Sequence, residues 1–393
     1  MSIMVKWQSA SLCIICREVI FLIYVVQPGD TIFSIARQFG VSPASIRNRN
    51  QIPIGAPLVV GQALLILNSI KTGPLSIQAN GYAYTFISPY VLREHLANLN
   101  LLSVFSYGFL PDGTLLSPLP GDDRLLRAAR EAGVEASLVL TPFGPDGQFN
   151  NVLVNALLDS RTAQERLLSQ LQRVMTQKGY AELNIDFEFV LAEDRVPFAD
   201  FVKLAADTLE YRVSVCLAPK TSADQQGILV SGKDYSLLGQ AADRVLLMTY
   251  EWGYKYGEPL AIAPIDRVRQ VVEYALTEIP AEKISLGMAN YGYDWPLPFT
   301  RGQTVARTIG NVEAIELARR VGAEIQFDAQ SQSPFFTYTN RGIDHVVWFE
   351  DVRSWQAKFD LIKEFSLTGA GIWQIASLFR AGLVLLGENF RNP

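Results

Sequence analysis

From Asn80 to Gln374 the sequence alternates short apolar β-prone runs with longer stretches of helical periodicity, and that alternation restricts the chain to a parallel α/β sheet. The runs are Gly81 to Ile87, Leu102 to Tyr107, Ser137 to Thr141, Leu183 to Phe187, Val213 to Leu217, Val245 to Thr249, Ile284 to Met288 and Gly371 to Ile375. Between them lie helical segments such as Thr162 to Gln177, where Thr162 and Glu165 read as a capping box and Leu167, Leu168, Leu171, Val174 and Met175 mark one apolar face. Eight runs in a segment of this length predict an α/β (β/α)8 TIM barrel. The stretch Asp294 to Trp348, richer in Gln, Ser, Thr and aromatics, reads as a small α+β insertion between the seventh and eighth strands. A doubly wound open sheet is the alternative, but no G-x-G-x-x-G loop follows the first run.

The segment before the barrel has its own punctuation. Tyr24 to Val26 is β-prone, Pro28-Gly29 turns the chain, and Asp30 or Thr31 caps a helix carrying Ile32, Ile35, Ala36 and Phe39 at helical spacing, closed by Gly40. A second helix starts at Ser42 or Pro43, and Leu64 to Leu67 returns as a strand, giving a small βααβ module. The expected organisation is an unplaced extension over 1–22, the module over 23–68, a linker over 69–77 around Lys71 to Pro74, and the barrel over 78–393.

Composition narrows the function classes. With 49% hydrophobic and 19% charged residues the chain is not of the disordered kind, and its formal charge of −5 lies on the barrel, because residues 1–69 hold Lys6, Arg17, Arg37, Arg47 and Arg49 against only Glu18 and Asp30. An acidic main body argues against a nucleic-acid partner. Cys13, Cys16 and Cys216 are too few for a disulfide framework, and no second Cys or His pair lies near Cys13 and Cys16 to complete a tetrahedral metal site. His95 and His345 stand far apart, so neither metal nor cofactor is expected. The apolar stretch near the N-terminus is broken by Arg17 and Glu18 and falls short of the ~20 residues a membrane span needs. It also runs into the module without a small-residue cleavage site, so neither a membrane partner nor a secretory signal is expected. The protein is expected to be a monomer.

The fourth run carries the chemistry. In Leu183-Asn184-Ile185-Asp186-Phe187-Glu188 the polar residues alternate with apolar ones, so Asn184, Asp186 and Glu188 share the face that a barrel turns inward. Two carboxyl groups two residues apart on one face raise each other's proton affinity. A carboxylic acid still protonated near neutrality is what glycosidic cleavage asks of its general acid.

Two resemblances follow from these residues. The module resembles a LysM domain, carried by Tyr24-Val25-Val26, Pro28-Gly29-Asp30-Thr31, Ile35-Ala36, Asn50 and Gly61-Gln62-Ala63-Leu64. The resemblance implies glycan contacts at Gly29, Asp30, Thr31 and Asn50. The barrel resembles glycoside hydrolase family 18, whose fourth strand carries D-x-x-D-x-D-x-E, and within it the LysM-bearing spore-cortex N-acetylglucosaminidases and germination proteins. Beyond the Asn184 to Glu188 run, Gly81 to Tyr84, Met248 to Gly253, Tyr291 to Trp295, His345 to Asp351 and Gly371 to Gln374 carry it. It implies a retaining, substrate-assisted hydrolase with Glu188 as acid and base, Asp186 on the acetamido N–H, Tyr250 opposite, and Trp373 as the floor under the sugar. Asn184, Glu251, Tyr82, Asn290, Tyr291, Asp294 and Trp295 are the implied substrate-binding residues, with Asn184 expected to hydrogen-bond Asp186. His345 and Trp348 are expected in the packing of the insertion. The first two acids of the motif are Ala181 and Asn184 here, and Glu251 stands where many chitinases have Asp. The implied substrate is peptidoglycan, as spore-cortex fragments during germination, with the spore or else the cell wall as location. A chitinase on chitin-like glycan and a non-catalytic glycan-binding spore protein are the alternatives.

Overall fold

The computed structural model describes residues 21–67, 73, 75–144 and 147–391. Most of the extension, including Cys13 and Cys16, and residues 68–72 and 74 lie outside the described residues. Eight strands close a barrel: Gln78–Tyr84, Leu101–Phe109, Glu135–Leu140, Glu182–Ile185, Arg212–Leu217, Arg244–Leu247, Ile284–Ala289 and Gly369–Trp373. Each pairs in parallel with the next, and the eighth pairs with the first, Gly369 opposite Gln78. All eight correspond to expected runs. The fourth stops at Ile185, which leaves Asp186, Phe187 and Glu188 just past its C-terminal end.

Alternation along that strand sorts its side chains into two environments. Leu183, Ile185 and Phe187 are fully buried outward under the helices, where Phe187 stacks on Phe198 and Phe201 of helix Arg195–Thr208 at 5.6 and 5.8 Å. Inside the barrel, Tyr82, Phe105, Val139, Cys216 and Leu246 form a separate apolar plug beneath the strand ends. The long helix runs Arg161–Lys178, and its cap differs from expectation: Ser160, extended at φ −120°, accepts from the Ala163 amide at 3.2 Å. Thr162 therefore lies inside the first turn, and Glu165 pairs with Arg161 at 2.8 Å instead of closing a capping box.

The insertion begins directly after the seventh strand. It is a five-stranded antiparallel sheet, Gly292–Leu297, Arg307–Ile309, Gln326–Asp328, Ser333–Asn340 and Ile343–Trp348, with helix Asn311–Val321.

The N-terminal module pairs Phe21–Val25 with Ala63–Leu67 antiparallel around helices Ile32–Phe39 and Pro43–Arg49. Its first strand thus takes in two residues expected in the extension. Thr31, not Asp30, caps the first helix, accepting from the Ser34 amide at 3.0 Å. Both faces of the two-stranded sheet are covered. Tyr24, Val26, Leu64 and Ile66 pack with Ile32, Ile35 and Ile46 in the module's own core, whereas Ile23, Ala63, Leu65 and Leu67 belong to the barrel's outer core. The strand Ala63–Leu67 lies against helices Val352–Glu364 and Arg380–Asn389. Polar contacts lock the seam: the Ile325 amide donates to Val60 O at 2.9 Å, Arg319 Nε to Pro57 O at 2.8 Å, and the Arg380 amide to Gln51 Oε1 at 2.6 Å. The module is a fixed part of the body, not a bead on a tether.

Gly61 sits at the tightest point of that seam. Its φ is +82°, and a Cβ there would fall 1.8 Å from the Ile325 carbonyl oxygen. Gly61→Ala should cost about 1–3 kcal/mol. Because the seam joins two cores, thermal unfolding followed by circular dichroism should show one transition at a lower midpoint; a separate early module transition with the barrel unchanged would contradict this.

Candidate active site

At the C-terminal mouth of the barrel, Asp186, Glu188, Lys233, Tyr250, Glu251 and Trp373 line a cleft of about 210 Å³ together with Phe105, Phe149, Met248 and other apolar residues. Each comes from a strand end or the loop that follows it, which is where a barrel of this kind presents side chains to solvent. Trp373 ends the eighth strand, and Tyr82, Tyr84 and Phe105 meet it at steep angles with centroids 5.8, 6.0 and 5.0 Å away, which fixes its plane.

Below the cleft a polar ladder descends the interior. Asn184 Nδ2 donates to Ser214 Oγ at 2.9 Å, and Ser214 Oγ donates to Glu182 Oε1 at 2.7 Å. Glu182 in turn faces Arg212 at 3.4 Å and Arg244 at 3.6 Å. On its other side Asn184 Oδ1 accepts from the Tyr82 hydroxyl and the Cys216 thiol, each at 3.3 Å. With both ends committed, Asn184 does not make the expected hydrogen bond to Asp186. Asp186 is buried, and its Oδ1 has no hydrogen-bond partner.

Burial pushes the proton affinity of Asp186 and Glu188 upward. At Glu188 the nearby Asp186 and Glu251 add to burial against the opposing Lys233 ammonium, while at Asp186 the Lys233 ammonium and the Cys216 thiol oppose it. Glu188 is therefore the group that keeps its proton as pH rises, and Asp186 the one that loses it first. Burial also raises Glu251, whose Oε1 accepts from the hydroxyls of Tyr291 and, at 2.8 Å, Tyr293.

The structure brings Asp186, Glu188, Tyr250, Glu251 and Trp373 together as expected residues of the cleft. Others stand behind it. Tyr82 is in the interior plug, and Tyr291 is buried, holding Glu251. Asn290 is buried, and its Nδ2 donates to Gln374 O at 3.1 Å and Ser377 O at 2.9 Å, bracing the loop after Trp373. Two expected cleft residues are corrected. Trp295 is fully buried, its Nε1 donating to Gly257 O at 3.0 Å, and Asp294 points to the opposite face of its strand, where it meets Tyr338 and His345 at 2.9 Å. Strand alternation through Tyr291, Tyr293 and Trp295 puts Asp294 on the far side. His345 lies in the insertion as expected, and so does Trp348, which stacks on Phe335 at 4.5 Å.

In the module, Asn50 is also corrected: its amide is fully used by backbone, donating to Ile46 O and Leu65 O and accepting from the Leu65 amide at 2.8 Å. Asp30 Oδ2 accepts from the Tyr24 hydroxyl at 2.6 Å and the Gln27 amide at 2.8 Å, bracing the turn. Gly29 and Thr31 are exposed. Sequence reasoning missed Lys233, Cys216, Ser214 and Glu182. On the inward face Asn184, Asp186 and Glu188 were legible while Glu182 was not, and no spacing or motif marks Lys233.

Residues 143–377 match the family model for glycosyl hydrolases family 18, and residues 24–67 match that for the LysM domain. The chain belongs to glycoside hydrolase family 18, a family of glycosidases, and carries a LysM domain. It is 38% identical to the cortical fragment-lytic enzyme of Bacillus subtilis (strain 168), over 94% of this chain and 98% of that one. The crystal structure of the Bacillus cereus spore cortex-lytic enzyme SleL superposes with a TM-score of 0.90 at 31% identity, covering 95% of this chain and 98% of that one. A chitinase from Chromobacterium violaceum shares the fold at a TM-score of 0.74 and 23% identity, over 80% of this chain and 99% of that one.

Because the Asp186 charge is one cause of the raised proton affinity of Glu188, Asp186→Asn should lower the Glu188 pKa. Carboxyl ¹³C NMR titration checks this; a Glu188 midpoint that stays or rises would show that burial alone sets it.

Proposed function

We propose that the chain is a retaining, substrate-assisted N-acetylglucosaminidase that cleaves peptidoglycan of the spore cortex or its fragments. The observation that carries the reading is Asp186 Oδ1, a buried acceptor without a partner on a residue that lines the same cleft as Glu188 and Trp373. Such an atom calls for a donor, and an acetamido N–H supplies one. In the first step the acetamido carbonyl oxygen of the sugar attacks its own anomeric carbon. The glycosidic bond breaks, and its oxygen leaves with the Glu188 proton. Asp186 accepts the N–H and stabilises the oxazolinium cation, while Tyr250 holds the acetamido group from the other side. In the second step water attacks the anomeric carbon, gives a proton to Glu188, and the acetamido group is restored with retention.

Names of the similar proteins support cortex as the glycan and the spore as the place of action. The cleft also continues beyond the pocket around Asp186 and Glu188. A second hollow of about 550 Å³ shares Phe105 and is walled by Tyr84, Phe86, Leu119 and Phe143, with Tyr84 and Phe86 stacked at 5.0 Å and Phe86 largely exposed. Two adjoining hollows suit an oligomeric glycan. The exposed Gly29 and Thr31 and the exposed Ile54 and Gly55 offer the module's glycan contacts. We take the protein to act as a monomer, without nucleic-acid or membrane partners.

Purified protein and its Glu188→Gln variant, incubated separately with spore-cortex fragments and chitin oligomers, should differ in mass-spectrometric product profiles. The wild type is expected to release N-acetylglucosamine-ended products from cortex, and Glu188→Gln to be slower by about 10²–10⁴-fold with glycan binding kept. Cleavage of chitin alone would make it a chitinase, and undiminished Glu188→Gln activity would remove Glu188 from its role. Phe86→Ala should raise KM for longer fragments about 3- to 10-fold and leave kcat unchanged, in line with loss of one stacking contact.

A further inference from the structure

Lys233 has no part in the steps above, yet it is 0% exposed and lines the cleft. It lies on the loop after the fifth strand, one residue before Asp234, which caps helix Tyr235–Ala241. This loop is pressed against the one after the fourth strand, since a Cβ on Gly232 would fall 2.3 Å from Val190 O. The Lys233 ammonium donates to the carbonyl of Phe187, the residue between the two carboxylates, and to Cys216 O at 3.4 Å, and stands 4.6 Å from the Phe198 ring centroid. Those hydrogen bonds go to backbone carbonyls and not to a carboxylate, so its charge is left to act on Asp186 and Glu188 through a poorly screened interior.

The remaining titratable groups facing the pair are Tyr82 and Tyr84 from the first strand, Cys216 from the fifth, and Tyr250 and Glu251 after the sixth. Burial raises every one of them toward its protonated form, and none is a cation. Among the described residues lining the cleft, Lys233 is the one positive charge. Position 184, an acid in the family motif, is an amide here whose hydrogen bonds all point elsewhere. An Asp186 left to itself in this interior would take up a proton, and a neutral Asp186 would not stabilise an oxazolinium cation. One ammonium, one carboxylate and one carboxylic acid sum to zero, which is the least costly charge for a buried cluster.

We propose that Lys233 is a positioning residue for the hydrolytic reaction, its buried ammonium holding Asp186 ionised while Glu188 keeps the proton that it donates. The proposal rests on the roles given to those two residues under the proposed function. Burial pulls Lys233 down to about 8, which still leaves it charged at neutral pH.

Lys233→Met keeps the length of the side chain and removes the charge. On spore-cortex fragments, its kcat/KM profile should have the acidic limb displaced upward by about one pH unit or more, with the basic limb following. Activity at mildly acidic pH should then fall about 10-fold while loss near the basic side is smaller. A uniform loss with unmoved limbs would mark a merely structural lysine and overturn the proposal. In an Asp186→Asn background the same substitution should no longer move the acidic limb, and a limb that still moves would show that Lys233 acts through another group. Should Lys233→Met not fold, the wild type decides: with ¹⁵N-labelled lysine, every side-chain nitrogen should remain ammonium below about pH 7. A neutral amine in that range overturns the proposal. An inactive wild type would refute the reading of the reaction instead, and the nitrogen titration would still report the charge on Lys233.

Discussion

Glu182, Asn184 and Asp186 project into the closed barrel interior, and each must be hydrogen-bonded or charge-balanced there, because an uncompensated buried charge costs several kcal/mol. The three positions meet that demand differently. Glu182 is balanced by Arg212 and Arg244 at the floor, and Asn184 by Ser214, Cys216 and Tyr82 in the middle. Asp186, at the top, is left with a free acceptor and a neighbouring ammonium. Polar satisfaction therefore runs out at the cleft itself, where a substrate can complete it.

The eight strands and the carboxylate pair were legible because both rest on local patterns: apolar runs between helical periods, and strict alternation at Leu183 to Glu188. The same alternation, applied to Tyr291 to Trp295, would have separated Asp294 from its neighbours; treating that run as one aromatic motif hid the fact that its faces diverge. Lys233 was illegible for a different reason. Its role depends on two loops, after the fourth and fifth strands, being brought together by barrel closure, and Gly232-Lys233-Asp234 looks like any polar loop leading into a helix. Tyr82 and Asn290, expected to bind substrate, stand behind the cleft, because nothing in sequence distinguishes a residue that lines a cleft from one that supports its neighbour.

Asn50 and Ala63 to Leu67 make the same point in the module. Asn50 resembles a polar contact residue, yet its amide is absorbed in tying the second helix to the returning strand. The run Ala63-Leu64-Leu65-Ile66-Leu67 has no polar alternation, which is the mark of a strand buried on both faces. A free-standing module would need only one apolar face, so the second one announced the barrel beside it.

That doubly apolar strand also makes the LysM unit a poor interchangeable part. Excised, it would present Ile23, Ala63, Leu65 and Leu67 as a greasy stripe to water; grafted onto another enzyme, it would seek a surface shaped like helices Val352–Glu364 and Arg380–Asn389. Changes to its sequence are thus bound to changes in the catalytic body, and the two have to evolve as one piece.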